Sequence, residues 1–353
     1  MNKLWLIDIE AVDSRYTKQW KEHLPWQMSK AGILNLEVIS GGEVPQTTTP
    51  GAFLNFAGTN SYKSQQLQIL AKAFADGKVD DDDYFLYTDA WNPTVIQLKY
   101  MAELLGKKIK IGGLWHAGSY DPADFLGRLI GDKPWVRLAE ESMYHCYDHN
   151  FFATDFHLDM FSHILLNGPG GPSKKNKIVG WPMEYLETTL EPYKGMEKKN
   201  KILFPHRIAP EKQLDIFKDL AATMPEFEWV ICQERNFTKD EYHKELGEAK
   251  MVFSANLQET LGISCYEGAL VGAGPMVPDR LSYSEMYHTQ FKYPSYLTQD
   301  WTTYTRNKQI LVQMIRTIIG TYTVNTQHFV ETSAAKMTHR FFDGTKLYDT
   351  IRK

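Results

Sequence analysis

Short apolar runs alternate with amphipathic segments along most of this chain. The runs at 4–9, 36–39, 84–87 and 109–114 are separated by stretches in which apolar residues recur at helical spacing, and each run stops at polar or glycine-rich sequence. Continuous short apolar runs are typical of parallel strands buried on both faces, and the helices between them form βαβ units. The first part of the chain is therefore predicted to be an α/β domain with a parallel sheet.

The same alternation continues in the second half. Strands are predicted at 201–204, 228–232, 251–253 and 274–278. Because the chain has 353 residues, it is long enough for two buried cores. We predict two Rossmann-like domains, at 1–190 and 191–335, and a largely helical C-terminal segment at 336–353.

Two segments require a choice between loop and helix. Residues 44–63 are rich in Thr, Gly and Asn, and we predict a long surface loop there, followed by a helix at 64–76. Pro210 suits the first position of a helix, because its missing N–H needs no partner there. That helix is predicted to run to Met224.

Composition and charge limit the function classes. A net charge of −4 and a pI near 6.3 argue against non-specific coating of nucleic acid, although a local basic patch is compatible with them. Cys146, Cys232 and Cys265 are widely spaced, which supports neither a disulfide framework nor a cysteine-rich zinc site. Because no His/Asp cluster has ligand spacing, we predict no metal and no resident cofactor.

The remaining general expectations follow from hydropathy. No stretch approaches the ~20 apolar residues of a membrane span, and charges interrupt the N-terminus before a signal-peptide core could form. We expect a cytoplasmic protein, in the host cytoplasm if the source is viral. It is expected to be a monomer or a dimer.

Residues 254–285 carry the most distinctive candidate chemistry. Glu259 lies in the loop after the strand at 251–253, and Glu267 lies eight residues on, in a helix that begins just after Gly262. Eight helical steps of about 100° leave roughly 80° between two side chains, so both carboxylates can face one cleft. The helix N-terminus between them offers free N–H groups to an anion. Two glutamates at this spacing also occur by chance in many helices.

A basic loop precedes this segment. Arg207 and Lys212 follow the strand at 201–204, where they could reach one anion at a helix N-terminus. We expect both to be exposed loop cations, and for either alone simple solvation is the plainer interpretation. Together they match what a bound diphosphate requires.

The two motifs, in this order and roughly fifty residues apart, resemble the donor half of retaining GT-B glycosyltransferases, the group related to glycogen synthase and sucrose synthase. The resemblance implies an α/β, GT-B fold of two Rossmann-like domains whose parallel sheets face an interdomain cleft, with the C-terminal helix packed back on the first domain. Arg207 and Lys212 would hold the donor diphosphate without a metal. Glu259 would orient the donor sugar, and Glu267 would bind the nucleotide ribose.

Further site residues follow from the same resemblance. Leu261 and Gly262 would lie beside the nucleotide sugar at the helix N-terminus, and Gln233 and Glu234 would lie at the level of the base. His116, at the end of the strand 109–114, would contact the sugar from the first domain. The resemblance implies a retaining hexosyl- or pentosyltransferase that uses a nucleotide sugar, with UDP as the expected nucleotide, as its co-substrate.

The acceptor is suggested by weaker motifs. The segments SRYTKQW (14–20), WHAGS (115–119), ATDFHLDMF (153–161) and VPDRLSYSEMY (277–287) resemble the tRNA-queuosine mannosyltransferase group, which modifies a base in nucleic acid. Bacteriophage glycosyltransferases of hydroxymethylated DNA bases form another such GT-B class. We therefore predict a hydroxymethyl-pyrimidine base in DNA as the acceptor. The cations proposed to meet its phosphates are Lys18, Lys63, Arg137, Lys174, Lys175 and Lys177.

Three alternatives stay open. The enzyme could act on a small molecule or surface glycan, which needs no basic groove, or on a base in tRNA. A GT-B-shaped binding protein without catalysis is the alternative from another class. Retention of both cations and both glutamates argues against it, since a binding module need not keep them.

Overall fold

The computed structural model describes residues 3–12, 16–49, 52 and 54–352, which form two compact units. The first unit comprises Met1–Met183 and Asp343–Lys353, and the second comprises Glu184–Phe342. The boundaries from sequence lie after residues 190 and 335, whereas the units change after 183 and 342. Ser14 and Arg15, which begin one of the acceptor motifs, lie outside the described residues.

The first unit alternates strands and helices. In chain order its main elements are β1 Leu4–Ile7, α1 Tyr16–Lys30, β2 Leu36–Ile39, α2 Phe56–Ala75, β3 Tyr84–Tyr87, α3 Thr94–Leu104, β4 Lys110–Leu114, α4 Phe125–Ile130, α5 Pro134–Cys146, β5 His149–Phe152, α6 Asp155–Leu165 and β6 Asn176–Ile178.

The strands of this unit form one parallel sheet. Their order is β2-β1-β3-β4-β5-β6, and β1 is paired on one side with β2 (Leu4 opposite Leu36) and on the other with β3 (Leu4 opposite Tyr84). All residues of β1 and β3 are buried, because helices cover both faces of the sheet. The strand order reverses between β1 and β3, so their carboxyl ends border a crevice.

The loop predicted at 44–63 is wrong from residue 56 onward, where helix α2 begins. The helix begins at Phe56, where the side chain of Asn55 accepts a hydrogen bond from the N–H of Gly58. The buried face of its first part is polar: Tyr62 and Gln66 bind Asp8, which follows β1. These side chains are buried and form hydrogen bonds with the Asp8 carboxylate. Hydrophobic periodicity therefore does not reveal this part of the helix.

The second unit also alternates strands and helices. Its main elements are α7 Tyr185–Leu190, β7 Lys199–Phe204, α8 Leu214–Thr223, β8 Glu228–Ile231, α9 Lys239–Glu248, β9 Ala249–Phe253, α10 Ile263–Leu270, β10 Gly274–Pro278, α11 Tyr283–Met286, β11 Lys292–Tyr293, α12 Trp301–Gly320 and α13 Val324–Met337.

A second parallel sheet organises this unit. Its order is β11-β10-β9-β7-β8, and the reversal lies between β7 and β9, which pair with Ile202 opposite Met251 and Leu203 opposite Val252. Both strands lie in an apolar core with Phe204 and Phe253. The two parallel α/β sheets confirm the predicted fold class.

The helix predicted from Pro210 to Met224 is wrong at its start. Pro210–Lys212 is a separate 3₁₀ turn, and α8 begins only at Leu214. Between them Gln213 has left-handed backbone angles (φ 51°, ψ 49°). Its side-chain amide donates to the carbonyls of Ala255 (2.6 Å) and Thr298 (2.7 Å), so tertiary contacts interrupt the helix.

The chain ends in the first unit with α14, Thr345–Arg352. Tyr348 Oη accepts a hydrogen bond from Gln27 Nε2 (3.2 Å), and Arg352 Nη1 donates to the Ala31 carbonyl (2.8 Å). Helix α14 therefore packs on α1. Among the described residues, no helix combines the length and hydropathy that a membrane crossing requires.

Candidate active site

The candidate site lies where the second sheet reverses its strand order. The loop after β7, residues 205–213, and the loop after β9, residues 254–262, leave the same edge of the sheet because the two strands are adjacent and parallel. The backbone N–H of Leu257 donates to the Glu211 carbonyl (2.8 Å), which joins the loops directly. Ligands of open α/β sheets bind at such edges.

Lys212 and Glu259 form the centre of the site. Lys212 Nζ donates to the Gln258 carbonyl (2.6 Å) and lies 3.1 Å from Glu259 Oε2. Asn256 Nδ2 donates to the same carboxylate oxygen (3.1 Å). Burial alone raises the pKa of Glu259, but the Lys212 ammonium, His206 and hydrogen bonds to the carboxylate outweigh it and hold the pKa below its usual range. Glu259 is therefore ionised at neutral pH.

The expectation that both cations are exposed is wrong for Lys212. This residue is only 5% exposed, whereas the Arg207 side chain is 32% exposed. Arg207 forms an ion pair with Glu211 on the adjoining 3₁₀ turn. Both cations are thus already paired with acidic residues. A bound diphosphate would share Arg207 and Lys212 with these carboxylates.

His206, in the loop after β7, contacts both the end of β9 and the start of α10. The residue is 4% exposed, and burial followed by the nearby Lys212 charge lowers its pKa to about 4. Because a carbonyl can only accept, Nε2 carries the proton that is donated to the Phe253 carbonyl (3.1 Å). The other ring nitrogen, Nδ1, faces Ser264 Oγ (3.4 Å) in the first turn of α10, so a neutral His206 connects β9 to that helix.

Glu267 lies further along α10 and is 5% exposed. Its Oε2 accepts a hydrogen bond from the Tyr242 hydroxyl of α9 (2.9 Å). Glu259 and Glu267 have separate sets of partners. Burial is the main cause that raises the pKa of Cys265, and the charges of Glu259 and Glu267 raise it further. The Cys265 thiol therefore lies near both carboxylates.

Gly262 allows the chain to enter α10. Its backbone is left-handed (φ 67°, ψ 46°), and a Cβ at this position would lie 2.5 Å from the ring of Tyr283. Only glycine suits both the conformation and the contact. Leu261 is 1% exposed, so its side chain supports the loop from the interior.

The other predicted residues lie on the turn after β8 or in the first unit. Gln233 and Glu234 are exposed on the 3₁₀ turn after β8, and Glu234 pairs with Lys218 (3.1 Å). His116 belongs to the first unit, where Nε2 donates to the Thr88 carbonyl (2.6 Å) and Nδ1 lies 2.5 Å from Tyr16 Oη. Both ring nitrogens are therefore engaged within that unit, and the contact of His116 with a sugar stays a prediction.

Sequence reasoning missed Asn256, Tyr242 and His206. His206 precedes Arg207, but a histidine beside an arginine carries no signal of its own. The other two reach the glutamates only through the fold. Within the described ranges, no group of three His, Cys, Asp or Glu side chains converges as a metal site would require.

Solved structures with similar folds are known. The chain resembles HepE of Anabaena, solved in complex with UDP and glucose, over 100% of both chains (TM-score 0.58, 12% identity). It resembles the catalytic domain of starch synthase IV from Arabidopsis thaliana, bound to ADP and acarbose, over 99% of both chains (TM-score 0.59, 10% identity). The chain has a GT-B fold. At such identities the similarity shows the fold alone.

A third similar structure is sucrose-phosphate synthase of Thermosynechococcus elongatus, which matches 100% of this chain and 99% of its own with a TM-score of 0.57 and 11% identity. No protein-family model matches the chain, and no curated protein is similar to it in sequence.

Proposed function

We propose that this protein is a retaining glycosyltransferase that moves a sugar from a nucleotide-sugar donor, with UDP as the nucleotide, to a hydroxyl group. The observation that carries the proposal is the contact of Lys212 with Glu259 at the switch point of the second sheet. A cation for a phosphate and a carboxylate for sugar hydroxyls thus lie side by side. The UDP and ADP bound to HepE and starch synthase IV support the donor class.

The cations would act on the leaving diphosphate. An ammonium has three N–H donors, and the contacts of Lys212 with Gln258 and Glu259 use two of them. The third is available for a phosphate oxygen, and Arg207 lies at the other end of the same loop. Positive charge placed in advance where negative charge grows in the transition state lowers the barrier. In this proposal the two side chains supply that charge without a divalent metal.

The carboxylates would hold the two ends of the donor. An ionised carboxylate accepts hydrogen bonds from hydroxyl groups, and such charge-assisted bonds are stronger than neutral ones. We assign Glu259 to the sugar, because it shares Lys212 with the phosphate, and Glu267 to the ribose. In a retaining front-face reaction the leaving phosphate can take the acceptor proton, so the proposal requires no separate general base.

The charges of the first unit favour a neutral acceptor. Lys63, Arg137 and Lys175, which are among the cations proposed for nucleic acid, are already engaged: Lys63 is 5% exposed and pairs with Asp89 (3.2 Å), Arg137 pairs with Glu140 (3.0 Å), and Lys175 donates to a backbone carbonyl. A polyanion would have to displace these contacts. We therefore propose a hydroxyl of a glycan or small molecule as the acceptor and treat DNA as the alternative that the experiment tests.

A donor panel tests the proposal. The protein would be incubated with UDP-, ADP- and GDP-sugars, and nucleotide release and product mass would be measured with oligosaccharides, hydroxymethylated DNA or tRNA as acceptors. We expect release from a UDP-sugar and transfer to a carbohydrate hydroxyl, with little effect of moderate salt. Transfer to DNA that falls steeply with salt would overturn the acceptor assignment. Binding of nucleotide sugars without any turnover would indicate a binding protein instead.

A further inference from the structure

Asn256 connects Glu259 to the interior of the second unit. Its side-chain nitrogen donates to Glu259 Oε2 (3.1 Å) and lies 3.1 Å from the hydroxyl of Tyr283, and Asn256 is fully buried. A carboxylate can only accept hydrogen bonds, so the NH₂ end of the amide must face Glu259. The orientation of this amide is therefore set by the charge state of the glutamate.

The hydroxyl of Tyr283 accepts a hydrogen bond from the same amide nitrogen of Asn256. This hydroxyl lies 3.2 Å from Ser254 Oγ, and that oxygen accepts a hydrogen bond from the backbone N–H of Asn256 (3.2 Å). The tyrosine ring also fills the space beside Gly262. Tyr283 is fully buried and thus contacts both the beginning and the end of the loop that carries Glu259.

The backbone of this loop is fixed independently. Arg280 donates through Nη2 to the Ala255 carbonyl (2.7 Å) and through Nε to the Asn256 carbonyl (2.7 Å). Gln213 donates to the same Ala255 carbonyl (2.6 Å). Because the main chain is held by these contacts, loss of the Asn256 amide or the Tyr283 hydroxyl would change the side chain of Glu259 more than the course of the loop.

We propose that Asn256 and Tyr283 are positioning residues that hold the carboxylate of Glu259 in one orientation. Lys212 and Asn256 bind the same carboxylate oxygen, so the glutamate is held in one direction before any ligand arrives. The use of this pre-oriented carboxylate on a donor sugar rests on the proposed glycosyltransferase function. The effect on Glu259 itself does not depend on that function.

The central test is Asn256→Asp, which nearly preserves shape but places a second carboxylate beside Glu259. Like charges raise the pKa of one member of a pair, so we expect one of the two neighbouring carboxyls to titrate about one pH unit or more above the position of Glu259 in the wild type. The titration would be followed by ¹³C NMR on protein labelled at the glutamate and aspartate carboxyl carbons, with the Glu259 signal assigned through Glu259→Gln. Asn200→Asp is the control, because Asn200 is exposed and contacts Lys250 outside the site.

Tyr283→Phe supplies a second variant that removes only a hydroxyl. We expect kcat with the donor to fall by about tenfold while the donor KM changes little, because a positioned contact acts mainly in the transition state. The absence of any upward-shifted carboxyl in Asn256→Asp, or an unchanged kcat in Tyr283→Phe, would overturn the positioning role. A wild-type protein that turns over no nucleotide sugar would refute the proposed function, while the titration would still decide the role of Asn256.

Discussion

The Lys212 ammonium lies 3.1 Å from the Glu259 carboxylate and connects the loops that leave the neighbouring strands β7 and β9. The Lys212 side chain is 7% exposed and that of Glu259 is 19% exposed, so solvent screens this pair far less than a surface ion pair. The contact therefore links the stability of the second unit to its candidate chemistry.

Removing one partner of this pair is expected to destabilise the protein. Lys212→Met would leave Glu259 charged without its nearest cation, and we expect a loss of about 3 kcal/mol in the free energy of unfolding. Urea unfolding of Lys212→Met, Glu259→Gln and the double variant measures the coupling between the two sites.

Lys199 provides the matched control for the comparison of these single and double variants. It pairs with Glu248 (2.7 Å) at the start of β7, with a side chain that is 54% exposed. Lys199→Met is expected to cost about 1 kcal/mol or less. Losses that simply add in the Lys212 and Glu259 double variant would contradict the coupling.

Tyr242→Phe tests the assignment of Glu267 to the ribose. The change removes the hydroxyl that donates to Glu267 Oε2 and leaves the ring in place. Without this contact the Glu267 side chain must be ordered when the ribose binds, so we expect the donor KM to rise by about two- to tenfold with little change in kcat. Tyr193→Phe is the control, because its hydroxyl donates to the Asp240 carboxylate at an exposed position. A fall in kcat at constant KM would count against a ribose contact.

Gly262→Ala tests the close approach of Tyr283. The control is Gly106→Ala, since Gly106 has nearly the same backbone angle (φ 64°) but no atom within 4 Å of an added Cβ. The left-handed conformation costs about 1 kcal/mol in each variant. Thermal or urea unfolding should show a larger loss for Gly262→Ala, because the added methyl also meets the tyrosine ring. Equal losses of stability in the two variants would show that the Tyr283 ring moves away from the added methyl group at little cost.

Much of the fold is encoded in local sequence, because strands buried on both faces give continuous apolar runs. The four residues of β3, Tyr84–Tyr87, and the five of β10, Gly274–Pro278, are recognised in this way. The first turns of α2 are not, because Tyr62 and Lys63 face acidic residues from distant parts of the chain. A polar buried face has no hydrophobic period.

The residues of the candidate site are likewise only partly predictable from the sequence. Glu259 and Lys212 stand out because charged residues in the loops after predicted strands point to ligands, and Glu267 stands out because it follows Glu259 by eight residues in the next helix. Asn256 and Tyr242 do not, since their roles depend on contacts made only after folding. The burial of Lys212 likewise follows from the separate turn at Pro210–Lys212, which the sequence does not distinguish from a helix start.

His206 is expected to make the protein less stable in mild acid. Its folded-state pKa, about 4, lies below the ordinary 6.5, so the unfolded chain binds the proton first as the pH falls. Stability from the neutral ring is fully present above pH 6.5 and declines as the pH falls toward 4, with a loss of about 2 kcal/mol by pH 5. Urea unfolding of His206→Gln at pH 7 and pH 5 should lack this part of the pH dependence. The same dependence in both proteins would contradict a buried neutral histidine.

The most direct test of the proposed function is nucleotide release from a saturating UDP-sugar by the wild-type protein, Lys212→Met and Lys199→Met, each verified as folded. The proposal predicts turnover by the wild type and by Lys199→Met, and a fall of about 10²–10³ in kcat for Lys212→Met, because Lys212 stabilises the charge that grows on the leaving phosphate. Equal turnover by Lys212→Met and the wild type, or no release from any nucleotide sugar, would contradict it.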